Sequence, residues 1–384
     1  MEMKDRFILE AGHVTEVYGP VQALRNYLIK HHGNFELITH PFVYTKMEGT
    51  AVVKYEKGKI IKEIKGHKRG KSQLFQWMQD VVFNITYMFS LKKKVDLFVG
   101  VDPLNALTGI VMKLFGKVDK VAYYIIDHMD RRFPNPIFNF AYEFIDGLAC
   151  GGADSIWSLS ERMANAKNKK FNFKKSKNIV VPVGIELDAV DKFTVEEKLA
   201  KKTMVLMSML DETKGVQLLI EAMPEILKTV PAAQLLIIGT GPYEQNLKVQ
   251  TKTLGLEASV KFLGLMQHDP LFKFISHERI GLAPYIDDKN NYTYYADPTK
   301  PKEYLGCGLP IVITDVPWIA QAVAEKPMGV VCKYEKIALA NACIKLLSDD
   351  EFYKVCLKNS LEFAAGFSWD TIYKEALEKT IEKV

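Results

Sequence analysis

The sequence is short of cysteine and of long apolar runs, and each shortage excludes a class of protein. The five cysteines are odd in number, and no two stand at the Cys-x-x-Cys spacing of a redox or metal site. We therefore expect buried free thiols in a reducing cytoplasm. No window approaches the ~18–20 uninterrupted apolar residues of a membrane-spanning helix, and the amino-terminal residues lack the apolar core of a signal peptide. The sequence thus predicts a cytoplasmic protein that does not span a bilayer.

Patterns for metals, dinucleotides and nucleic acids are missing as well. There is no Asp-x-Asp, and the histidines are not clustered at ligand spacing. A Gly-x-Gly turn at Gly239–Gly241 lacks the third glycine of the dinucleotide fingerprint, whose place is taken by Glu244. No recognisable nucleic-acid module is present. We expect neither a cofactor nor a metal, a dehydrogenase is disfavoured, and nucleic-acid binding is a weak alternative.

What the sequence has in quantity is the alternation of short apolar runs with segments of helical period. Six such runs occur in each half of the chain, a pattern typical of βαβ units and parallel sheets. Those of the second half include Gln234–Ile238, Ile280–Ala283 and Ile311–Thr314. At 384 residues the chain exceeds the ~250–300 residues at which single cores stop growing. We predict two Rossmann-like, doubly wound α/β domains that face each other across a cleft. They comprise residues 1–185 and 186–366, and a final helix at residues 367–384 packs back on the first domain.

The two halves of the chain differ in charge. Residues 1–185 hold 28 Lys and Arg against 18 Asp and Glu, whereas the remainder holds 23 against 28. The basic residues are densest over Lys54–Lys71, directly before the aromatic-rich segment Leu74–Leu91. Such a pair of segments suits contact with an anionic membrane surface. It also suits a solvated hairpin followed by a core helix, and the sequence leaves both interpretations open.

Two segments of the second half place lysines where a phosphate would bind. Lys214 and Gly215 open a predicted helix soon after a strand, and helix amino termini attract anions. Lys300 and Lys302 fall in the first turn of another predicted helix, where a cation is unfavourable unless an anion is bound. Glu303 follows, and its carboxylate could accept both hydroxyls of a ribose. This pattern predicts a site for a nucleoside diphosphate.

The segment PTKPKEYLGCGLPIVITDVP resembles the Pro-x-Lys-x-x-Glu-Tyr-Leu element of the group 1 retaining glycosyltransferases, which have the GT-B fold. The segments LDETKGVQLLIEAMPEI, LLIIGTGPYEQNL with VKFLGLM, and VVPVGIEL are similar to further elements of that family, and the likeness covers roughly the whole chain. The resemblance implies transfer of a sugar from a UDP- or GDP-linked donor. It implies catalytic roles for His128, Asp127, Lys214 and Lys300, and donor binding by Gly19, Gly239, Gly241, Pro242, Pro298, Thr299, Glu303 and Tyr304.

The chain departs from the family pattern at two places. Met209 stands where many members have an arginine, and Tyr295 where many have an acid, with Asp297 as a nearby substitute. The basic first half with its aromatic residues suits a glycan, polysaccharide or lipid-linked acceptor, with peripheral attachment at the inner face of the cell membrane. A nucleotide-sugar epimerase, a sugar phosphorylase, and a GT-B partner protein with weakened activity are the alternatives.

Overall fold

The structure is a computed structural model. It describes residues 6–15, 18–68, 70, 72–286 and 297–382. The chain divides into two compact units, an N-terminal domain of Met1–Pro182 with Trp369–Val384 and a C-terminal domain of Val183–Ser368. These divisions fall close to the predicted ones, at residues 185 and 366.

The N-terminal domain contains a mostly parallel sheet with helices packed on it. Its strands are β1 (Ile8–Val14), β2 (Phe35–Pro41), β3 (Gly49–Glu56), β4 (Lys59–Lys68), β5 (Val95–Val101), β6 (Val118–Ile125), β7 (Ser155–Ser158) and β8 (Asn178–Val180). Its helices are α1 (Pro20–His31), α2 (Gln73–Ser90), α3 (Pro103–Leu114), α4 (Pro136–Gly152) and α5 (Glu161–Phe171). The spatial order of the strands is β4-β3-β2-β1-β5-β6-β7-β8. Strand β1 is central and buried along its whole length, as an interior parallel strand must be.

Capping side chains decide where two of these helices begin. Asp102 accepts the N–H of Asn105 at the start of α3, and Asn135 does the same for Ile137 at the start of α4. A proline follows each cap, at the first helical position, where its missing N–H costs nothing. Because Asp102 directly follows β5, its cap fixes a carboxylate at the carboxyl edge of the sheet.

The basic segment forms an antiparallel hairpin at one edge of the sheet. Strand β3 pairs with β2 and β4, and every residue of β4 is exposed or half-buried. Exposed lysines on an edge strand also hinder pairing with another chain. The hairpin interpretation is therefore confirmed over residues 54–68, while Arg69 and Lys71 lie outside the described residues.

Helix α2, which follows the hairpin, buries polar side chains and exposes apolar ones. Its inner face buries Gln76, Asp80 and Asn84. Its outer face exposes large apolar side chains, namely Leu74, Phe75, Met78, Val82 and Phe89. The core-helix interpretation is wrong for these side chains. The helix is not a membrane span either, since no helix in the described part of the chain is long and apolar enough to cross a bilayer.

The C-terminal domain contains a second, fully parallel sheet. Its strands are β9 (Thr203–Met207), β10 (Gln234–Ile238), β11 (Val260–Gly264), β12 (Ile280–Ala283), β13 (Ile311–Thr314) and β14 (Gly329–Cys332), in the spatial order β11-β10-β9-β12-β13-β14. Its helices are α6 (Val195–Ala200), α7 (Val216–Thr229), α8 (Glu244–Thr253), α9 (His268–Ser276), α10 (Thr299–Gly306), α11 (Ile319–Glu325), α12 (Lys336–Ser348) and α13 (Asp350–Ala365). Alternate residues of β9 enter two apolar cores, Leu206 on one side and Val205 on the other. The prediction of two doubly wound α/β domains is confirmed.

The last helix, α14 (Trp369–Glu382), belongs to the N-terminal domain. The hydroxyl of Tyr373 donates to the carbonyl of Pro20 at 3.0 Å. The indole N–H of Trp157, on β7, donates to the hydroxyl of Thr380 at 2.8 Å. Because Trp157 is fully buried, its N–H needs such a partner. The first domain is thus completed by the end of the chain.

Glu10 is an acid in the middle of β1 with no solvent exposure. Neither of its carboxyl oxygens has a hydrogen-bond partner among the residues that the structure describes. Burial raises the pKa of Glu10 well above its ordinary value, and the charge of Arg25 opposes the shift only in part. The folded protein therefore holds Glu10 protonated over a pH range in which the unfolded chain ionises it.

Replacing Glu10 with methionine is expected to raise the free energy of unfolding by about 1–3 kcal/mol near neutral pH, because an unsatisfied polar group leaves the core. A carboxyl whose pKa is raised by folding contributes its stability below the unfolded pKa and loses it as the pH rises. The gain should therefore grow from pH 5 to pH 8.5 in urea denaturation. Glu36 is the matched control, since Lys54 binds its carboxylate at 2.7 Å and Glu36→Met should destabilise. An unchanged or lower stability of Glu10→Met would contradict the assignment.

Candidate functional site

The C-terminal domain has a pocket of about 340 Å³ at the carboxyl ends of β9 and β12. The sheet order reverses between these two strands, since β10 lies beyond β9 and β13 beyond β12. Open parallel sheets bind ligands at such a switch point. The loop after β9, the loop after β12 and the start of α10 contribute the walls, with Ser208, Met209, Thr213, Lys214, Pro284, Tyr285, Pro298, Thr299 and Lys300 among the lining residues.

Two lysines from different segments line this pocket. Lys214 ends a short 3-10 turn just before α7, and Lys300 lies in the first turn of α10. Burial lowers the pKa of Lys300; Glu303 opposes the shift, and the charge of Lys214 adds to it. Two ammonium groups that repel each other beside two helix amino termini form a site that an anion would stabilise.

Gly215 is required where the chain enters α7. Its φ of +76° is in the left-handed region, and a Cβ there would lie 2.2 Å from the carbonyl oxygen of Pro284. The glycine thus lets the loop after β9 approach the loop after β12. This contact sets the distance between the pocket walls that carry Lys214 and Tyr285.

Glu303 lies one helical turn beyond Lys300 on α10 and is half-buried. Burial raises its pKa, and the neighbouring Lys300 opposes the shift. Pro298 and Thr299, also predicted from the sequence, line the pocket with Lys300. The start of α10 therefore brings three predicted residues to the pocket, and Glu303 lies one turn further along the helix.

The predicted donor residues Gly239 and Gly241 lie in the loop after β10. A Cβ on Gly239 would lie 1.8 Å from the carbonyl oxygen of Ser208, and one on Gly241 would lie 2.3 Å from that of Leu210. Both glycines, which precede the exposed Pro242, are therefore needed to pack this loop against the loop after β9. Their contact with the pocket is indirect, through the loop that carries Met209.

Two predictions at α10 need correction. Lys302, expected on a diphosphate, is fully buried, and its ammonium group binds the carboxylate of Asp297 at 2.6 Å and the carbonyl of Val183. Tyr304, expected on the donor, is in the core and accepts the backbone N–H of Met207. Both side chains are buried, although they lie about 200° apart around the helix, because α10 packs between β12 and α13.

Asp297 does not replace the missing family acid, because its second oxygen accepts the indole N–H of Trp318 at 2.8 Å. Its carboxylate is thus used entirely inside the domain. Tyr295 lies outside the described residues. Met209 lines the pocket with more than half of its side chain exposed, so the position of the family arginine faces the site.

The N-terminal candidates lie near the carboxyl ends of strands. His128 follows β6 and is buried; burial, reinforced by the charge of Lys167, lowers its pKa to about 4. Asp127 is exposed and pairs with Arg132. Gly19 precedes α1 in an extended conformation with room for a Cβ, so the fold does not require glycine there.

Sequence reasoning missed a cluster at the same edge of the N-terminal sheet. It joins His13 at the end of β1, His40 on β2, His67 on β4 and Asp80 on α2. Burial would lower the pKa of His13, but Asp102 and Asp80 outweigh it and raise that pKa to about 9. No local spacing could have predicted this cluster, because its members come from four separate elements.

Comparison with known proteins supports the sugar-transfer interpretation of the C-terminal domain. Residues 189–363 match the family model described as glycosyl transferases group 1. The chain is 22% identical over 226 residues to the alpha-monoglucosyldiacylglycerol synthase of Streptococcus pneumoniae, covering 53% of this chain and 49% of that protein. It is 21% identical over 203 residues to the phosphatidyl-myo-inositol mannosyltransferase of Mycobacterium leprae, covering 52% of each. The chain thus spans about half the length of these curated relatives.

Solved structures share the fold over nearly the whole chain. HepE of Anabaena in complex with UDP has a TM-score of 0.69 at 15% identity, covering 97% of this chain and 98% of that chain. A glycosyltransferase of Rickettsia africae has a TM-score of 0.70 at 14% identity, covering 98% of both. At such low identity the likeness concerns the fold alone. The predicted GT-B fold class is confirmed.

Proposed function

We propose, on the premise that residues 189–363 belong to the group 1 glycosyl transferases, that the protein is a retaining glycosyltransferase that uses a nucleoside-diphosphate sugar. The observation that carries the proposal is the pair Lys214 and Lys300 in one pocket at the switch point of the C-terminal sheet. UDP is the favoured nucleotide, because the Anabaena neighbour was solved with UDP, and GDP is the second candidate.

Each residue then has a defined task at the donor. Lys214 and Lys300 bind the diphosphate together with the amino termini of α7 and α10. Glu303 accepts the ribose hydroxyls. His128, neutral because of its low pKa, suits a hydrogen bond with a sugar hydroxyl, and Gly19 permits a close approach of the backbone.

The reaction needs little acid–base chemistry from the protein. The bond between the anomeric carbon and the phosphate oxygen breaks, and a bond from the acceptor oxygen to the same carbon forms on the same face. The acceptor proton passes to the departing phosphate oxygen. The two ammonium groups stabilise the negative charge that builds on the leaving diphosphate, which is where preorganised charges lower a barrier most.

A thermal-shift panel of UDP-glucose, UDP-N-acetylglucosamine and GDP-mannose tests donor binding. We expect one UDP-sugar to stabilise the parent protein, by about 2.7 kcal/mol at a concentration 100 times its Kd, and Glu303→Ala to lose most of that effect. Glu225→Ala is the control, because Glu225 is paired with Lys228 at the surface of α7. The donor site would be misplaced if no nucleotide sugar stabilises the parent, or if Glu303→Ala responds like the control.

We further propose that the acceptor is a lipid at an anionic membrane surface. Helix α4 adds apolar side chains to those exposed on α2, with Ile137 and Phe140 each more than two-thirds exposed. Helix α3 packs against both helices and exposes Leu114 and Phe115 at its end. Large apolar side chains exposed on three packed helices mark a candidate binding face. The names of both curated relatives refer to lipids, and the surplus of lysine in this half favours anionic headgroups.

Membrane contact predicts co-sedimentation with vesicles containing phosphatidylglycerol at low salt. The triple variant Phe75→Ser, Met78→Ser and Val82→Ser should bind at least ~10-fold more weakly, because each buried apolar side chain contributes about 1.5–3 kcal/mol. Val249→Ser is the control, since Val249 is equally exposed on α8 of the other domain. The proposal fails if the parent protein stays in the supernatant at low salt, or if the triple variant sediments like the parent.

A further inference from the structure

The inner face of α2 contributes Asp80 to a close cluster of side-chain nitrogen and oxygen atoms. Oδ1 of Asp80 lies 2.9 Å from Nδ1 of His40 and 2.9 Å from Nε2 of His67. The hydroxyl oxygen of Thr50 lies 3.0 Å from Asp80 Oδ1, 3.0 Å from His40 Nδ1 and 3.1 Å from His67 Nε2. Asp80, His40 and Thr50 are all buried. Five contacts of about 3 Å thus join these four atoms, and the ligand atoms of His40, His67 and Asp80 all lie within 4.8 Å of one another.

The outer nitrogen of each histidine ring already has an acceptor. His40 Nε2 lies 3.0 Å from Asn84 Oδ1, and the amide nitrogen of Asn84 donates to Asn105 at 2.7 Å, so the Asn84 oxygen accepts. His67 Nδ1 lies 3.3 Å from the carbonyl oxygen of Lys68. In neutral rings the protons therefore sit on the outer nitrogens. The inner nitrogens then direct lone pairs toward Asp80 and Thr50.

When both rings are neutral and protonated on their outer nitrogens, a single hydrogen is available for the five contacts among Asp80, His40, His67 and Thr50. Only the hydroxyl of Thr50 can donate, while the two ring nitrogens and the carboxylate oxygen all carry lone pairs. Buried groups of this kind are normally satisfied. A cation at the centre would accept all the lone pairs at once. The outer hydrogen bonds of the histidines are those by which proteins orient metal-bound imidazoles.

We propose that His40, His67 and Asp80 bind a divalent transition-metal ion of the Zn²⁺ type, with the Thr50 hydroxyl or a water in the fourth position. Two imidazole nitrogens, one carboxylate oxygen and one hydroxyl or water form a usual ligand set for zinc. Ligand bonds of ~2.0–2.1 Å require ligand atoms about 3.3–3.4 Å apart in a tetrahedron. The present contacts need to widen by only a few tenths of an ångström.

Neighbouring side chains orient the carboxylate of Asp80 so that one of its oxygens can bind the ion. The second oxygen of Asp80 lies 3.2 Å from Nε2 of His13, whose other nitrogen lies 2.6 Å from Asp102. Asp80 is thus bonded through one oxygen and directs the other to the centre, as ligating carboxylates commonly are. The ion would tie α2 to β2 and to the β3–β4 hairpin. The proposed site uses none of the residues that are assigned to the sugar donor.

The experiment is a calorimetric titration of the full chain with ZnCl₂, using protein that carries no histidine affinity tag and has been stripped with a chelator. We expect one equivalent of zinc per chain. His67→Ala should weaken binding by more than the ~10–100-fold that loss of an outer partner costs. His67 is chosen because it is only half-buried. His268→Ala, at an exposed histidine of the C-terminal domain, is the matched control and should bind like the parent.

A second measurement guards against a folding defect in the variant. The parent should give the visible absorption of tetrahedral Co²⁺ when cobalt replaces zinc, and Asp80→Asn should lose it. Far-ultraviolet circular dichroism without metal should match between parent and variants. The proposal is overturned if the parent takes up no stoichiometric zinc, or if folded His67→Ala binds zinc as tightly as the parent. Neither result bears on donor binding, which the nucleotide-sugar panel tests by itself.

Discussion

Replacing Lys214 or Lys300 with alanine is expected to lower kcat/KM for sugar transfer by about 10²–10³-fold, because in the proposed reaction each ammonium group stabilises charge on the leaving diphosphate. Lys300 should show the clearer effect on affinity for UDP itself, since it lies at the start of α10 beside Glu303. Initial rates with saturating acceptor, together with UDP titrations, separate binding from the chemical step. The double variant should lose less than the product of the single losses, because the two lysines act on one anion.

Lys228→Ala is the control for this pair. Lys228 also belongs to the C-terminal domain, but its side chain is largely exposed and paired with Glu225. Its removal should leave transfer within a factor of two or so of the parent. Wild-type kcat/KM in both Lys214→Ala and Lys300→Ala would place the diphosphate elsewhere.

Replacing Lys302 with methionine is expected to cost about 3–5 kcal/mol of the free energy of unfolding, because it leaves the carboxylate of Asp297 buried without a counter-charge. Both side chains of this pair are fully buried. Burial raises the pKa of Asp297, and Lys302 is the main group opposing that rise. Urea denaturation followed by circular dichroism measures the loss.

A double-mutant cycle identifies the pair as the cause. Asp297→Asn combined with Lys302→Met should be more stable than Lys302→Met alone, because no buried charge is left without a partner. The exposed pair Lys326 and Glu362, 2.8 Å apart, is the control, and Lys326→Met should cost less than about 1 kcal/mol. A cost for Lys302→Met as small as that of Lys326→Met would show that the buried pair contributes little.

The strands of the C-terminal sheet were predictable because apolar residues and turns define them locally. The runs Gln234–Ile238, Ile280–Ala283 and Ile311–Thr314 coincide with the observed strands at both ends. The placing of Lys214 and Lys300 beside one pocket also followed from the sequence, since strand ends and helix starts meet at one edge of a parallel sheet. Their proposed roles at a donor are predictions that the substitutions above test.

What the sequence could not predict depends on contacts between distant segments. Lys302 and Lys300 are alike in the sequence, and only the packing of α10 decides that one faces Asp297 inside and the other the pocket. The sequence could not predict the inward polar face of α2 for the same reason. Its partners, His40 and His67, come from strands earlier in the chain, so the apolar residues of α2 resembled those of a core helix.

Because α14 belongs to the first domain, the order in which the chain is synthesised affects when that domain can finish folding. A ribosome that has made residues up to Pro182 has not yet supplied Thr380, the partner of the buried Trp157 indole. All of Val183–Ser368 is translated in between, which takes roughly 10–40 s at usual elongation rates. During that interval the nascent first domain exposes the surface that α14 later covers. The C-terminal domain, being continuous in the chain, can finish folding first.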